Sequence, residues 1–150
     1  MRTPRIYLET TMFNFPFADD APQYRDDTRH LLNEIKAGKF QPFTSVYATG
    51  EIEDTQDEDK RERMKAPIDE YSVEVLEATG EIRRLASVYI TEGVIKERFL
   101  TDALHIAAAT VYGMDMIVSL NFQHIVKHKT IIETEIINAR EGYRRIFIHT

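Results

Sequence analysis

Cysteine is absent from the 150 residues, which removes disulfide frameworks, zinc–thiolate sites and cysteine nucleophiles and suits a reducing cytoplasm. No window approaches the length of a membrane span. The start, Met1-Arg2-Thr3-Pro4-Arg5, leads straight into a short apolar run instead of a signal-peptide stretch, so a soluble cytoplasmic protein is expected. Positive charge is in deficit: 19 Lys and Arg against 25 Asp and Glu give a net charge of −6. That argues against an extended basic surface holding nucleic acid by counterion release alone. It leaves room for an acidic metal enzyme, which carries negative charge where the chemistry is and recruits phosphate through bound cations. Also missing are a Gly-rich phosphate loop after the first apolar run, a GxSxG elbow and HExxH spacing among His30, His105, His124, His128 and His149. No internal repeat, low-complexity tract or linker interrupts the chain. Residues 1–150 read as one domain, large enough to bury a core without staples or structural metals.

What is present alternates between strand-like and helix-like segments. Arg5-Ile6-Tyr7-Leu8-Glu9 is short, apolar and β-prone, and Thr10-Thr11 opens into a loop, so Glu9 stands at the carboxyl end of a strand. Residues 23–37 put Leu31, Leu32 and Ile35 at helical spacing, with Gly38 as the stop. Residues 40–44 predict a second strand, weakened at Pro42. Ser45 caps a helix that carries Glu51 and runs into the mixed-charge residues 53–63, read as an exposed helix end and loop. Residues 73–76 predict a third strand, and residues 80–92 a helix with Ile82, Leu85, Ala86 and Tyr89 on one face, ended by Gly93. The next helix buries Leu104, Ala107, Ala108 and Val111 and stops at Gly113. Residues 116–120 form a continuous apolar run typical of a strand buried on both faces; Asn121 is its exit residue, and residues 145–149 make a final strand. This alternation predicts an α/β layered fold with a mainly parallel sheet and right-handed crossovers.

Asp102 stands at the mouth of the alanine-rich segment Thr101-Asp102-Ala103-Leu104-His105-Ile106-Ala107-Ala108-Ala109, where an ionised group beside a buried face is costly unless something pairs with it. One account is a first-turn carboxylate favoured by the helix dipole, with Thr101 or the preceding loop capping. The other is a site. In a parallel sheet, functional groups gather beyond the carboxyl ends of the strands near the switch point, so Glu9, Asp102 and Asn121 are expected to meet, with Glu51 reaching the same cleft. Clustered carboxylates raise one another's pKa unless a cation sits among them, and oxygen ligands select Mg²⁺ or Mn²⁺ over zinc. His105 reads as a packed, hydrogen-bonded side chain rather than a ligand. Phe13, Phe15 and Phe17 either stack bases or, the preferred reading, pack their own loop. His124, Lys127, His128 and Lys129 form a small basic cluster, a phosphate contact or a solvated loop.

Four blocks carry a family resemblance: Ile6-Tyr7-Leu8-Glu9-Thr10-Thr11, residues 45–51 with Ser45 first and Glu51 last, Asp102-Ala103-Leu104-His105-Ile106-Ala107, and Ile117-Val118-Ser119-Leu120-Asn121-Phe122. In this order and spacing they resemble the PIN-domain nucleases, which include the ribonuclease toxins of bacterial and archaeal toxin–antitoxin pairs. The resemblance spans nearly the whole chain, and the Asp102 block is its most specific part. It implies a three-layer α/β/α fold, catalytic Glu9, Glu51 and Asp102, and a pocket in which these three and Asn121 bind Mg²⁺ or Mn²⁺. It further implies endonucleolytic cleavage of RNA by a metal-activated water, and, by analogy, a small antitoxin protein and a homodimer as partners. Glu9 departs from the family's usual first aspartate and Asn121 from its usual fourth acid, which makes the site less negative and most affects a second metal. A catalytically weak or inert PIN-like module, acting through protein or RNA binding, is the rival reading; a phosphohydrolase of small esters is a third.

Overall fold

The first apolar run becomes the centre of the sheet. In the computed structural model, which describes residues 2–150, strand β1 (Arg5–Leu8) leaves Ile6, Tyr7 and Leu8 with no exposed surface. It is flanked by β2 (Gln41–Ser45) and β4 (Met116–Val118), with β3 (Glu74–Leu76) and β5 (Phe147–His149) at the edges. The order is β3-β2-β1-β4-β5 and every pairing is parallel. A strand covered on both faces reads as a continuous apolar run, and the period-two alternation of its side chains sorts them between two cores. Ile6, Leu8 and Val118 pack on one side with α1 (Thr11–Asn14), α2 (Pro22–Lys36), α3 (Val46–Glu53) and α4 (Glu58–Glu70). Tyr7, Phe43 and Ile117 pack on the other with α5 (Gly80–Thr91), α6 (Leu100–Val111) and α7 (His128–Arg140). The result is an α/β/α sandwich.

The chain runs outward from β1 through β2 to β3, then returns to lay β4 against the free side of β1. The carboxyl ends of β1 and β4 therefore emerge side by side, tied by the Glu9 amide donating to the Val118 carbonyl at 3.1 Å. That is the switch point, where such sheets leave a crevice. Local signals aim the helices that border it. The Ser45 side chain accepts from the Tyr47 amide at 3.2 Å and starts α3. Gly93 ends α5 at φ +79°, a left-handed conformation that disfavours any residue with a Cβ.

Five expectations are corrected. Thr11 does not continue into a loop: α1 begins there, drives Phe13 into the core and leaves Pro16 buried in a short 3₁₀ turn, while Phe17 is at the surface. The mixed-charge stretch is a helix start, because Asp57 caps α4 through the Lys60 amide at 3.2 Å and Glu58 and Asp59 suit its first turn. The basic cluster is not a loop throughout, since His128 opens α7. In α6 the burial also differs from the expected stripe. Leu104 and Val111 are only partly buried, whereas Ala103, His105, Ile106 and Ala109 are fully enclosed along with Ala107 and Ala108. Thr101 lies inside the helix and provides no cap. Among the described residues no helix is long and apolar enough to cross a membrane.

Candidate metal centre

Glu9, Glu51, Asp102 and Asn121 all line one cleft of about 310 Å³ at the carboxyl end of the sheet, together with Thr10, Thr11 and Lys60. Each arrives by a different route. Glu9 is the first residue past β1 and is only 3 % exposed. Its Oε1 accepts from the Thr11 amide at 3.2 Å, the Thr11 hydroxyl at 2.6 Å and the Ser119 hydroxyl at 2.7 Å. Oε2 takes no donor, yet it is not among the sealed, unpaired polar atoms, so it keeps contact with the cleft. A nearly buried carboxylate with one oxygen fixed and the other open is the arrangement a hard cation uses.

Glu51 projects from α3, and its Oε1 accepts from the Thr10 hydroxyl at 2.6 Å and from His105 Nε2 at 2.6 Å. His105 is wholly buried on α6, and its Nδ1 lies 2.6 Å from the Tyr7 hydroxyl, itself 2.6 Å from Ser45 Oγ. The chain Ser45–Tyr7–His105–Glu51 thus crosses from the cap of α3 through β1 and α6 back to α3. Burial works against the charged imidazole of His105, but the Glu51 hydrogen bond and the charges of Glu9, Glu51 and Asp102 prevail and raise its pKa. Burial likewise pushes Glu51 up, and the His105 hydrogen bond and charge, with Thr10, reverse the balance and leave it lowered. The two directions agree: each favours the charged form of its group. Burial raises the Tyr7 hydroxyl strongly, which keeps it protonated and able to donate.

Asp102 sits in the first turn of α6, where its Oδ2 meets His124 Nδ1 at 2.8 Å and its Oδ1 accepts from Asn121 Nδ2 at 3.1 Å. Burial raises its pKa; His124 and His105 pull the other way, and Glu9 and Glu51 add to the rise. Asn121 borders the same cleft. Its carbonyl oxygen accepts from the His124 amide at 3.1 Å, so the amide nitrogen faces Asp102. Ligation by that oxygen requires the side-chain amide to turn and release His124.

Glu9, Glu51 and His105 each offer a donor atom within 4.8 Å of the others. His105 is hydrogen-bonded and packed, as its sequence context suggests, and it also joins this group. Sequence reasoning missed four contributors: Thr10 and Thr11, which orient the two glutamates, Ser119, which bridges Glu9 and the Asn121 amide at 2.9 Å, and His124. Ser119 did leave a trace, as the one polar residue within the apolar run of residues 116–120. His124 stands out in the sequence only as part of the basic cluster, because its pairing with Asp102 depends on how the connection after β4 folds.

No protein-family model matches the chain, and neither does the sequence of any curated protein. Among solved structures, the fold is similar to a chain in the crystal structure of VapBC2 from Rickettsia felis bound to a DNA fragment from their promoter. The TM-score is 0.52 at 11 % identity, over 97 % of this chain and 98 % of that one. The likeness is one of fold: a PIN-like α/β/α sandwich around five parallel strands.

Proposed function

We propose that this chain is a metal-dependent endoribonuclease of the PIN type, the toxin member of a toxin–antitoxin pair. The observation that carries the proposal is the convergence of Glu9, Glu51 and Asp102 on one cleft at the switch point. A group of like charges in a half-buried crevice is stable with a cation among them, and carboxylate oxygens favour Mg²⁺ or Mn²⁺. Glu9 through its open Oε2, Glu51 and Asp102 would hold the ion, with Asn121 supporting it after its amide turns. The chemistry the ion supplies there is activation of a water and neutralisation of charge on the scissile phosphate. The chain's own residues do the positioning. Thr11 and Ser119 fix Glu9, His105 and Thr10 fix Glu51, and His124 holds Asp102.

The fold resembles a structure of VapBC2 on promoter DNA, and that association supports a small antitoxin protein as partner here, over or beside the acidic cleft. A homodimer is proposed on the family resemblance alone. The same sequence is proposed to fold as one domain and to act in the cytoplasm.

A second reading has its own support. Glu51 is paired with His105, and Asp102 is clasped by His124 and Asn121, so the site stands without any ion, as an inert PIN-like binding module requires. Incubation of purified protein with mixed RNA and Mn²⁺, beside Asp102→Ala, separates the two. Metal-dependent internal cleavage lost in the variant supports the nuclease. No cleavage by either protein, with RNA or protein binding retained, supports the module, and turnover of small phosphate esters without RNA cleavage supports neither.

A further inference from the structure

On the far side of His124 from the acidic cleft lies a second cavity of about 460 Å³, between the residues after α5 and the start of α7. Its charged lining is of one sign: Lys96, Arg98, Lys127, Lys129 and His124, with no carboxylate among the described residues that line it. Lys129 is engaged with the Gly93 carbonyl and Glu133, both at 2.9 Å. Lys96, Arg98 and Lys127 are exposed and make no ion pair with the described residues. Arg98 lies over the ring of Phe99, whose other partner is His124, stacked at 3.6 Å. Such a concentration of uncompensated positive charge is costly in any chain, and it is conspicuous in one of net charge −6. The cost is greater for Lys127, because it stands at the amino end of α7, the positive end of its dipole, with no acidic residue in the first turn. An anion in the cavity removes both penalties.

The two cavities are separated by a pair of side chains in contact. His124 lines the basic one, and its ring holds Asp102, which lines the acidic one, at 2.8 Å. We propose that the basic cavity is a subsite for a backbone phosphate of the single-stranded RNA whose neighbouring bond reaches Glu9, Glu51 and Asp102. The inference rests on the nuclease reading for the identity of the strand. A polyanion meets repulsion at a cluster of carboxylates, and unpaired lysines beside them hold it in place by displacing counterions. Phosphate contacts position a strand without reading its bases, so the subsite fixes where the strand lies and leaves sequence choice to other groups.

The test measures binding in EDTA, where cleavage is absent, by fluorescence anisotropy of a short fluorescein-labelled single-stranded RNA of mixed sequence across a salt series. The protein variants are Lys96→Gln/Lys127→Gln and, as control, Lys36→Gln/Lys39→Gln, two exposed lysines ahead of β2 at the opposite end of the sheet. Loss of two phosphate contacts lowers the slope of log affinity against log salt by roughly 1.4, at about 0.7 per contact for single strands. That corresponds to about 25-fold weaker binding at ~0.1 M salt, with the difference closing toward ~1 M. The control keeps the wild-type slope. Equal slopes for the two double variants overturn the proposal, as does tighter binding of duplex DNA than of the RNA, or displacement of the RNA by polyglutamate at lower concentration than by unlabelled RNA, which would mark a protein-docking surface. The outcome is separable from the nuclease reading. Cavity-dependent RNA binding without Mn²⁺-dependent cleavage refutes the nuclease and leaves the subsite, whereas cleavage with unaltered binding in Lys96→Gln/Lys127→Gln does the opposite.

Discussion

Replacing Tyr7 by Phe removes one oxygen and almost no volume from the middle of the fold. Its hydroxyl lies 2.6 Å from Ser45 Oγ and 2.6 Å from His105 Nδ1, and all three residues have no exposed surface. Water cannot take the place of the lost group. Two hydrogen bonds contribute about 0.5–1.5 kcal/mol each, so about 1–3 kcal/mol in all, and the upper part of that range applies because His105 Nδ1 is left buried and unpaired. Ser45 is less affected, since its Oγ still accepts from the Tyr47 amide. For a domain of this size about 2 kcal/mol lowers Tm by about 4–8 °C. Tyr112→Phe is the matched control: its hydroxyl donates to the Glu77 carbonyl at 3.0 Å at the surface, where such changes stay within about 0.5 kcal/mol. Calorimetric melting of metal-free protein compares the two. A second readout follows from the chain of contacts, because a loosened His105 no longer holds Glu51, and Mn²⁺ affinity falls in Tyr7→Phe and not in Tyr112→Phe. Equal melting temperatures for the two variants would refute the claim that Ser45, Tyr7, His105 and Glu51 act as one buried network.

Mn²⁺ or Mg²⁺ at millimolar concentration is expected to raise Tm, by the mass action of a ligand that binds only the folded state; an unchanged melting curve counts against a cation site. Asn121→Asp replaces the donor to Asp102 with a second carboxylate, so the metal-free protein melts lower and binds Mn²⁺ more tightly, by about 1–4 kcal/mol for a charge at ~4 Å across effective dielectrics from water to protein surface. Asp102→Asn reverses the affinity change, and isothermal titration of the three proteins checks both. Gly93→Ala meets no atom within 4 Å at φ +79°, so its expected loss is backbone strain alone, about 1–2 kcal/mol, read as a lower Tm with metal affinity unchanged.

The parts of this fold that were legible in the sequence are those where local chemistry and burial agree. Ile82, Leu85, Ala86 and Tyr89 repeat at helical spacing and all four are completely enclosed in α5. Ser45, Gly38 and Gly93 mark element ends by mechanisms that act within a few residues. The stretch that became α4 was misread because its stability rests on Asp57 and on just two buried residues, Met64 and Pro67, amid charge, so no apolar period announces it. In α6 the expected stripe failed for the opposite reason: residues as small as alanine are buried on every side, and burial there carries no period. At the cleft, the positions of Glu9, Glu51, Asp102 and Asn121 followed from strand ends and helix starts. Their hydrogen-bond partners did not, since Thr11, Ser119 and His124 reach them through turns whose geometry depends on the finished sheet. The orientation of Asn121 is the clearest case, because the His124 amide that fixes its carbonyl exists only once residues 121–124 have folded.

The complete burial of the alanines of α6 has a consequence for how this cleft can change. Asp102 and His105 ride on a helix whose Ala103, Ala107, Ala108 and Ala109 have no free surface, so an added methylene at any of them collides with a neighbouring element. That jaw of the cleft is stiff. The facing jaw is the connection between β4 and α7, where Asn121 and His124 hang on a few hydrogen bonds and Phe122 and Gln123 are exposed. Substitution, insertion and adjustment around an ion or a strand are therefore absorbed in residues 121–124, while the helix serves as a fixed reference against which they move, and Ser119 and Ile125, both without exposed surface, anchor the connection on either side. Variants that retune the cleft without unfolding the protein are to be sought in that connection.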